Sequence, residues 1–135
     1  MSPQRLPMTT WRQIAIQKVP QHRRLIEESE SVGMLWVDLW LIFVAAHRPP
    51  VDESTVKGIY EFASWCLTDS DSDEICNSTI CHFYETLPTE PLVRQELPKH
   101  MSREDFIGMK QVFEYHLTAE EHELFMNEFF EAVDR

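Results

Sequence analysis

Apolar residues are most concentrated between Met34 and Ala46, where twelve of thirteen residues are apolar and Asp38 carries the single charge. The stretch lacks the alternation of a half-buried strand, and it is shorter than the roughly 20 apolar residues that span a bilayer. A helix that is apolar on every side is normally buried. We therefore predict a central, buried helix at about 32–47, which ends at His47 and the prolines that follow.

Shorter amphipathic stretches surround this segment and predict six or seven helices in all. Each combines apolar positions at helical spacing with a Ser, Thr or Asp cap, or with a proline or polar turn at its end. Short connections make successive helices antiparallel neighbours, which indicates stacked helical hairpins. The expected fold is all-α, in one domain of residues 1–135 whose first nine residues form a loose terminus. The other predicted helices are 11–18, 52–67, 72–87, 91–97, 102–116 and 118–134, with 52–67 and 72–87 as one hairpin and 102–116 and 118–134 as another.

Glycine and cysteine usage narrows the classes of function. The three glycines, at positions 33, 58 and 108, all lie in predicted helical segments, so the sequence contains no glycine-rich phosphate-binding loop. The N-terminus has no signal-peptide architecture. An odd number of cysteines, three, predicts reduced thiols in a cytoplasmic protein.

The net charge of −11 is unevenly distributed along the chain. Residues 1–30 carry five Lys or Arg against three Glu, whereas residues 31–135 carry seven basic side chains against twenty acidic ones. Such a field repels nucleic acid phosphates and anionic membranes, and it favours a basic protein as partner. The competing interpretation is that the charge serves solubility alone.

No metal or catalytic motif is complete. Residues 69–73 resemble the start of a calcium loop, but the loop needs Gly at its sixth position and Glu at its twelfth, where this chain has Glu74 and Ile80. Cys76 and Cys81 lie about 140° apart around a helix and cannot share a metal ion by themselves. The sequence therefore predicts no catalytic, cofactor-binding or metal-binding residue.

Two carboxylates are candidate ligand contacts. Asp38 lies within the apolar stretch, so it is either a functional carboxylate in a pocket, a buried group with a hydrogen-bond partner, or a residue at the exposed edge of its helix. Glu85 falls nearly opposite the apolar stripe of its predicted helix. It is an internal carboxylate if a second layer covers that face, and a surface acid otherwise.

The last predicted helix carries four large apolar residues over a wide arc, Phe125, Met126, Phe129 and Phe130. If part of this arc is exposed, Phe125, Phe129 and Phe130 are candidate contacts for a partner helix or for a second copy of the chain. The alternative is that both sides of the arc are covered within the fold.

Three short segments carry a resemblance to a known group of proteins. Val19-Pro20 before a charged helix, residues 73–77 (DEICN) and residues 83–87 (FYETL) resemble small bacterial all-helical domains of unknown function. Members of this kind are similar to immunity or accessory proteins of bacterial toxin systems. The resemblance implies an all-helical fold and a protein partner, and it implies no catalytic residue.

These observations lead to three hypotheses from different classes. The first is a non-enzymatic, acidic helical domain that binds a basic protein, with an immunity-like role as its sharpest form. The second is a small ligand-binding or enzymatic bundle that uses Asp38 or Glu85. The third is a structural module that forms homodimers through the last helix.

Overall fold

The computed structural model describes residues 10–135, and every regular element within them is helical, which confirms the all-α prediction. The predicted loose terminus, residues 1–9, lies outside the described residues. Short 3₁₀ turns at Pro20–His22, Tyr84–Thr89 and Leu97–Lys99 link some of the α-helices. The α-helices of this range are α1 (Thr10–Lys18), α2 (Arg23–Glu28), α3 (Val32–Ala46), α4 (Glu53–Thr68), α5 (Asp73–His82), α6 (Pro91–Glu96), α7 (Arg103–Gly108), α8 (Lys110–Phe113) and α9 (Ala119–Val133).

Side-chain caps define where several helices begin. Asp52 accepts a hydrogen bond from the backbone N–H of Thr55 at the start of α4. At the start of α9, Thr118 and Glu121 form a capping box, each side chain accepting from the other's backbone N–H. Such caps satisfy N–H groups that the first helical turn leaves without partners. The cap of α5 is Ser72, whose hydroxyl oxygen accepts from the backbone N–H of Ile75.

Two predicted helices are shorter than the sequence pattern indicated. The helix expected at 72–87 ends at His82, and the chain continues as the 3₁₀ turn Tyr84–Thr89, which contains Pro88. The Thr86 hydroxyl donates to the carbonyls of His82 and Phe83 there. The helix expected at 102–116 breaks at Met109, next to the poor helix former Gly108, and becomes α7 and α8.

The inner side of α3 lies at the centre of the core. Trp36 is fully buried, stacks on Phe62 of α4 with ring centroids 5.3 Å apart, and donates its indole N–H to Thr79 of α5 over 2.9 Å. Phe43 makes edge contacts with Tyr60 and Phe83. These contacts place α4 and α5 against the same side of α3.

The first two helices pack onto this centre through backbone contacts. Gly58 of α4 lies so close to the Lys18 carbonyl at the end of α1 that a side chain at position 58 would collide with it. The buried guanidinium of Arg12 donates to the Ser29 carbonyl over 2.5 Å and so joins α1 to the end of α2. These contacts hold α1 and α2 beside α3 and α4.

Candidate functional site

The outward side of α3 is an apolar strip without cover in the described chain. Met34, Val37 and Leu41 are 54%, 52% and 66% exposed. Asp38 and Ala45, also exposed, complete the same strip. We call these five residues the α3 outer face.

The exposure of this face corrects the prediction that the central helix is buried on every side. α4 and α5 both pack against the side that carries Trp36 and Phe43, and none of the described residues covers the opposite side to the same depth. A cue was present in the sequence. A charged residue in an otherwise apolar helix is expected on its solvent-exposed side. Met34 is four residues before Asp38 and Leu41 is three residues after it, so all three lie on the same side of the helix.

Asp38 lies in an open depression of about 480 Å³ between α2 and α3. It makes no hydrogen bond or ion pair with any residue of 10–135, so its carboxylate is exposed at the edge of the helix and not internal. Arg24 lines the same depression, but its guanidinium already pairs with Glu28 over 3.1 Å. A cation from outside the chain can therefore approach Asp38.

Glu85 occupies a different environment. Its side chain is 14% exposed, and Oε1 lies 3.6 Å from Nε2 of His116. The two form an ion pair when the imidazole is protonated. Glu85 is largely buried, so it is an internal carboxylate and not an ordinary surface acid. It does not line the depression beside Asp38.

The aromatic residues of α9 face the core. Phe125 and Phe129 are each 2% exposed and pack against Phe106 of α7. Phe130 is partly exposed, with Arg103 over its ring. The structure therefore corrects the candidate contact surface on the last helix, because two of its three phenylalanines are used within the chain.

A second concavity, which sequence reasoning missed, lies between α4, the Tyr84–Thr89 turn and α7. It is a cleft of about 360 Å³, more enclosed than the depression beside Asp38. Tyr60, Tyr84 and His100 contribute aromatic rings to its wall, and Glu104 and Asp105 contribute carboxylates. These residues come from four separate segments of the chain, so no local sequence pattern could have brought them together.

The geometry thus defines an all-helical protein with an open apolar helix face and a separate tyrosine-lined cleft. No protein-family model, curated protein or solved structure matches this chain. Among the helices of residues 10–135, none is long and apolar enough to cross a bilayer. Within the same range, no group of three or more His, Cys, Asp or Glu side chains is placed to hold a metal ion.

Proposed function

We propose that this protein is a non-enzymatic, acidic interaction domain whose α3 outer face binds a basic helical segment of another protein. The observation that carries the proposal is the exposure of Met34, Val37 and Leu41 on the most apolar helix of the chain. A folded chain gains free energy by covering such side chains, and contiguous exposed apolar surface marks interaction sites.

The free energy available from this face suits a reversible complex. Full burial of a Val, Leu or Met side chain yields about 1.5–3 kcal/mol. Because these three side chains are about half exposed, covering the rest of each one yields about 1 kcal/mol. Association costs translational and rotational entropy, so the rest of the binding free energy must come from contacts at the rim of the face and from charge pairing with Asp38.

The spacing of the face favours a helix as the occupant. From Met34 to Ala45 the exposed positions follow the i, i+3, i+4, i+7 pattern of a helix that presents one side to a partner. The eleven steps from Met34 to Ala45, at about 1.5 Å of rise each, extend about 17 Å. An amphipathic helix of three or four turns would cover that length.

Charge favours a basic partner over a second copy of this chain. The net charge of −11 repels an identical molecule at long range and attracts a cationic one. Asp38 lies within the face and has no ion-pair partner among the described residues, so a Lys or Arg at the centre of the partner segment would find its counter-charge there. The sharpest form of this function is immunity-like, in which the acidic chain captures and blocks a basic toxin in the cytoplasm.

The test uses photo-crosslinking from the face and from a matched position. p-Benzoylphenylalanine is placed at Leu41 or at Leu124, which is similarly exposed, at 58%, on α9. After illumination in cells that express the protein natively, crosslinked partners are identified by mass spectrometry. We expect a basic protein to be captured from position 41 and not from position 124.

Binding of the purified partner then decides the proposal. By calorimetry, Leu41→Asp should weaken binding at least about tenfold, whereas Leu124→Asp should leave it within about twofold. Asp38→Asn should weaken binding by about threefold and reduce its dependence on salt. The proposal fails if position 41 captures a second copy of the chain, an acidic protein or nothing, or if Leu41→Asp and Leu124→Asp bind equally.

A further inference from the structure

The tyrosine-lined cleft has the size and lining of a small-molecule site. Its volume of about 360 Å³ lies within the range of about 300–1,000 Å³ that is typical of ligand pockets. Leu67, Met101 and Met109 supply apolar surface, and the aromatic and acidic side chains supply a few polar groups. Apolar walls with a small number of polar groups are the usual composition of such sites.

The wall of the cleft contains a tyrosine, Tyr60, whose hydroxyl group has no hydrogen-bond partner among residues 10–135. Its ring lines the cleft and stacks against His100 with centroids 4.8 Å apart. Its hydroxyl oxygen is buried. A buried hydroxyl group without a hydrogen-bond partner is energetically unfavourable. Such groups are rare in packed cores.

The ionisable groups around the cleft give it negative character. Glu104 and Asp105 line it, and Glu53 and Glu96 act on His100 from neighbouring segments. Lys99 also acts on His100, but its ammonium pairs with Glu96 over 2.6 Å. The guanidinium of Arg103, which precedes Glu104 in the chain, pairs with Asp134 over 2.9 Å.

The rings of the cleft add no positive charge to it. Burial lowers the pKa of His100, with smaller opposing effects from Glu53 and Glu96, so the imidazole is neutral near pH 7. Burial also raises the pKa of both Tyr60 and Tyr84, so both phenols keep their protons. The carboxylates therefore determine the sign of the potential in the cleft.

We propose that this cleft binds a small organic ammonium ion with an apolar body. The ammonium group would lie beside Glu104 and Asp105, where the two carboxylates and the Tyr84 oxygen accept its N–H bonds. The apolar body would pack against Met101 and Met109. Aromatic rings beside a cation add to the attraction.

The test is an NMR titration of protein labelled with ¹³C at its methionine methyl groups. Met101 and Met109 report on the cleft, while Met34 on α3 and Met126 in the core report elsewhere. The probe is phenethylammonium, and the controls are the neutral 2-phenylethanol and the anionic phenylacetate. We expect saturable shifts of Met101 and Met109 with the ammonium ion alone, and binding of the alcohol to be at least about tenfold weaker.

Variants then separate binding in the cleft from attraction by the acidic surface as a whole. Asp105→Asn should weaken binding by about threefold to fivefold, and Tyr84→Phe should also weaken it. Glu123→Gln removes one exposed charge from α9, outside the cleft, and should leave the titration unchanged. Equal binding of ammonium and alcohol would overturn the proposal, as would equal effects of Asp105→Asn and Glu123→Gln, or shifts of all four methyl groups alike.

Discussion

Replacement of Gly58 by alanine tests the packing of α1 against α4. The backbone of Gly58 has an ordinary helical conformation, so alanine alone would gain about 1 kcal/mol in helix propensity. However, a Cβ atom at position 58 would lie 3.1 Å from the Lys18 carbonyl carbon and nearer still to its oxygen. To restore ordinary contact distances, α1 must move away by about 1 Å. Such a shift would loosen the contacts of Ala15 and Val19, both fully buried.

Overpacking of this kind typically costs about 1–3 kcal/mol, and a rigid backbone oxygen cannot turn aside as a side chain can. Because the obstructing atom is a backbone oxygen, we expect a cost in the upper part of this range, about 2–3 kcal/mol. Subtracting the gain in propensity leaves a net destabilisation by Gly58→Ala of about 1–2 kcal/mol. In urea unfolding followed by tryptophan fluorescence, the midpoint should fall by about 0.5–1 M.

Gly33→Ala is the matched control, because the nearest atom to its new Cβ would be Ser78 Oγ at an ordinary 3.7 Å. It should raise stability by about 0.5–1 kcal/mol. The packing argument is refuted if Gly58→Ala is as stable as Gly33→Ala.

Three further measurements address the core, a helix cap and the thiols. Thr79→Val leaves the buried indole N–H of Trp36 without an acceptor and should cost about 1–3 kcal/mol in urea unfolding, whereas Thr79→Ser should retain most of the stability. The hydrogen bonds of the cap lower the pKa of the Glu121 carboxyl below its ordinary 4.5. The stabilisation by the ionised carboxylate is therefore present above pH 4.5 and is lost as the pH falls through the pKa of the folded state. Glu121→Gln should make the free energy of unfolding less dependent on pH in this acid range. Cys81 is exposed and should react with a thiol reagent in the folded protein, whereas burial raises the pKa of Cys66 to about 12, so Cys66 should react only on unfolding.

Helix starts were the most predictable feature of this protein. Asp52, Ser102 and Thr118 cap helices at the first residues of the predicted segments 52–67, 102–116 and 118–134. A cap is formed by groups within three residues of each other, so its signal is complete in a short stretch of sequence. Helix ends were less predictable. The early end of α5 at His82 illustrates this, because no glycine or proline lies among the five residues that follow it.

The candidate sites were harder to predict because they depend on packing between distant segments. From the sequence, Phe125 and Phe129 could be either exposed or buried. Both are buried because Phe106 of α7 packs against them. Tyr60 and His100, forty residues apart in the sequence, stack only after α4 and the Leu97–Lys99 turn have come together. No periodicity within one segment contains that information.

By itself the sequence determined the all-helical class, the bounds of α3 and most of the helix starts, because these depend on interactions within a turn or two of the chain. The tertiary structure decided which side of α3 is buried. Met34, Leu41 and Leu35 are similarly hydrophobic, so their own chemistry does not distinguish the buried side from the exposed one. That choice was made by α4 and α5, which pack around Trp36 and leave the opposite side of the helix open.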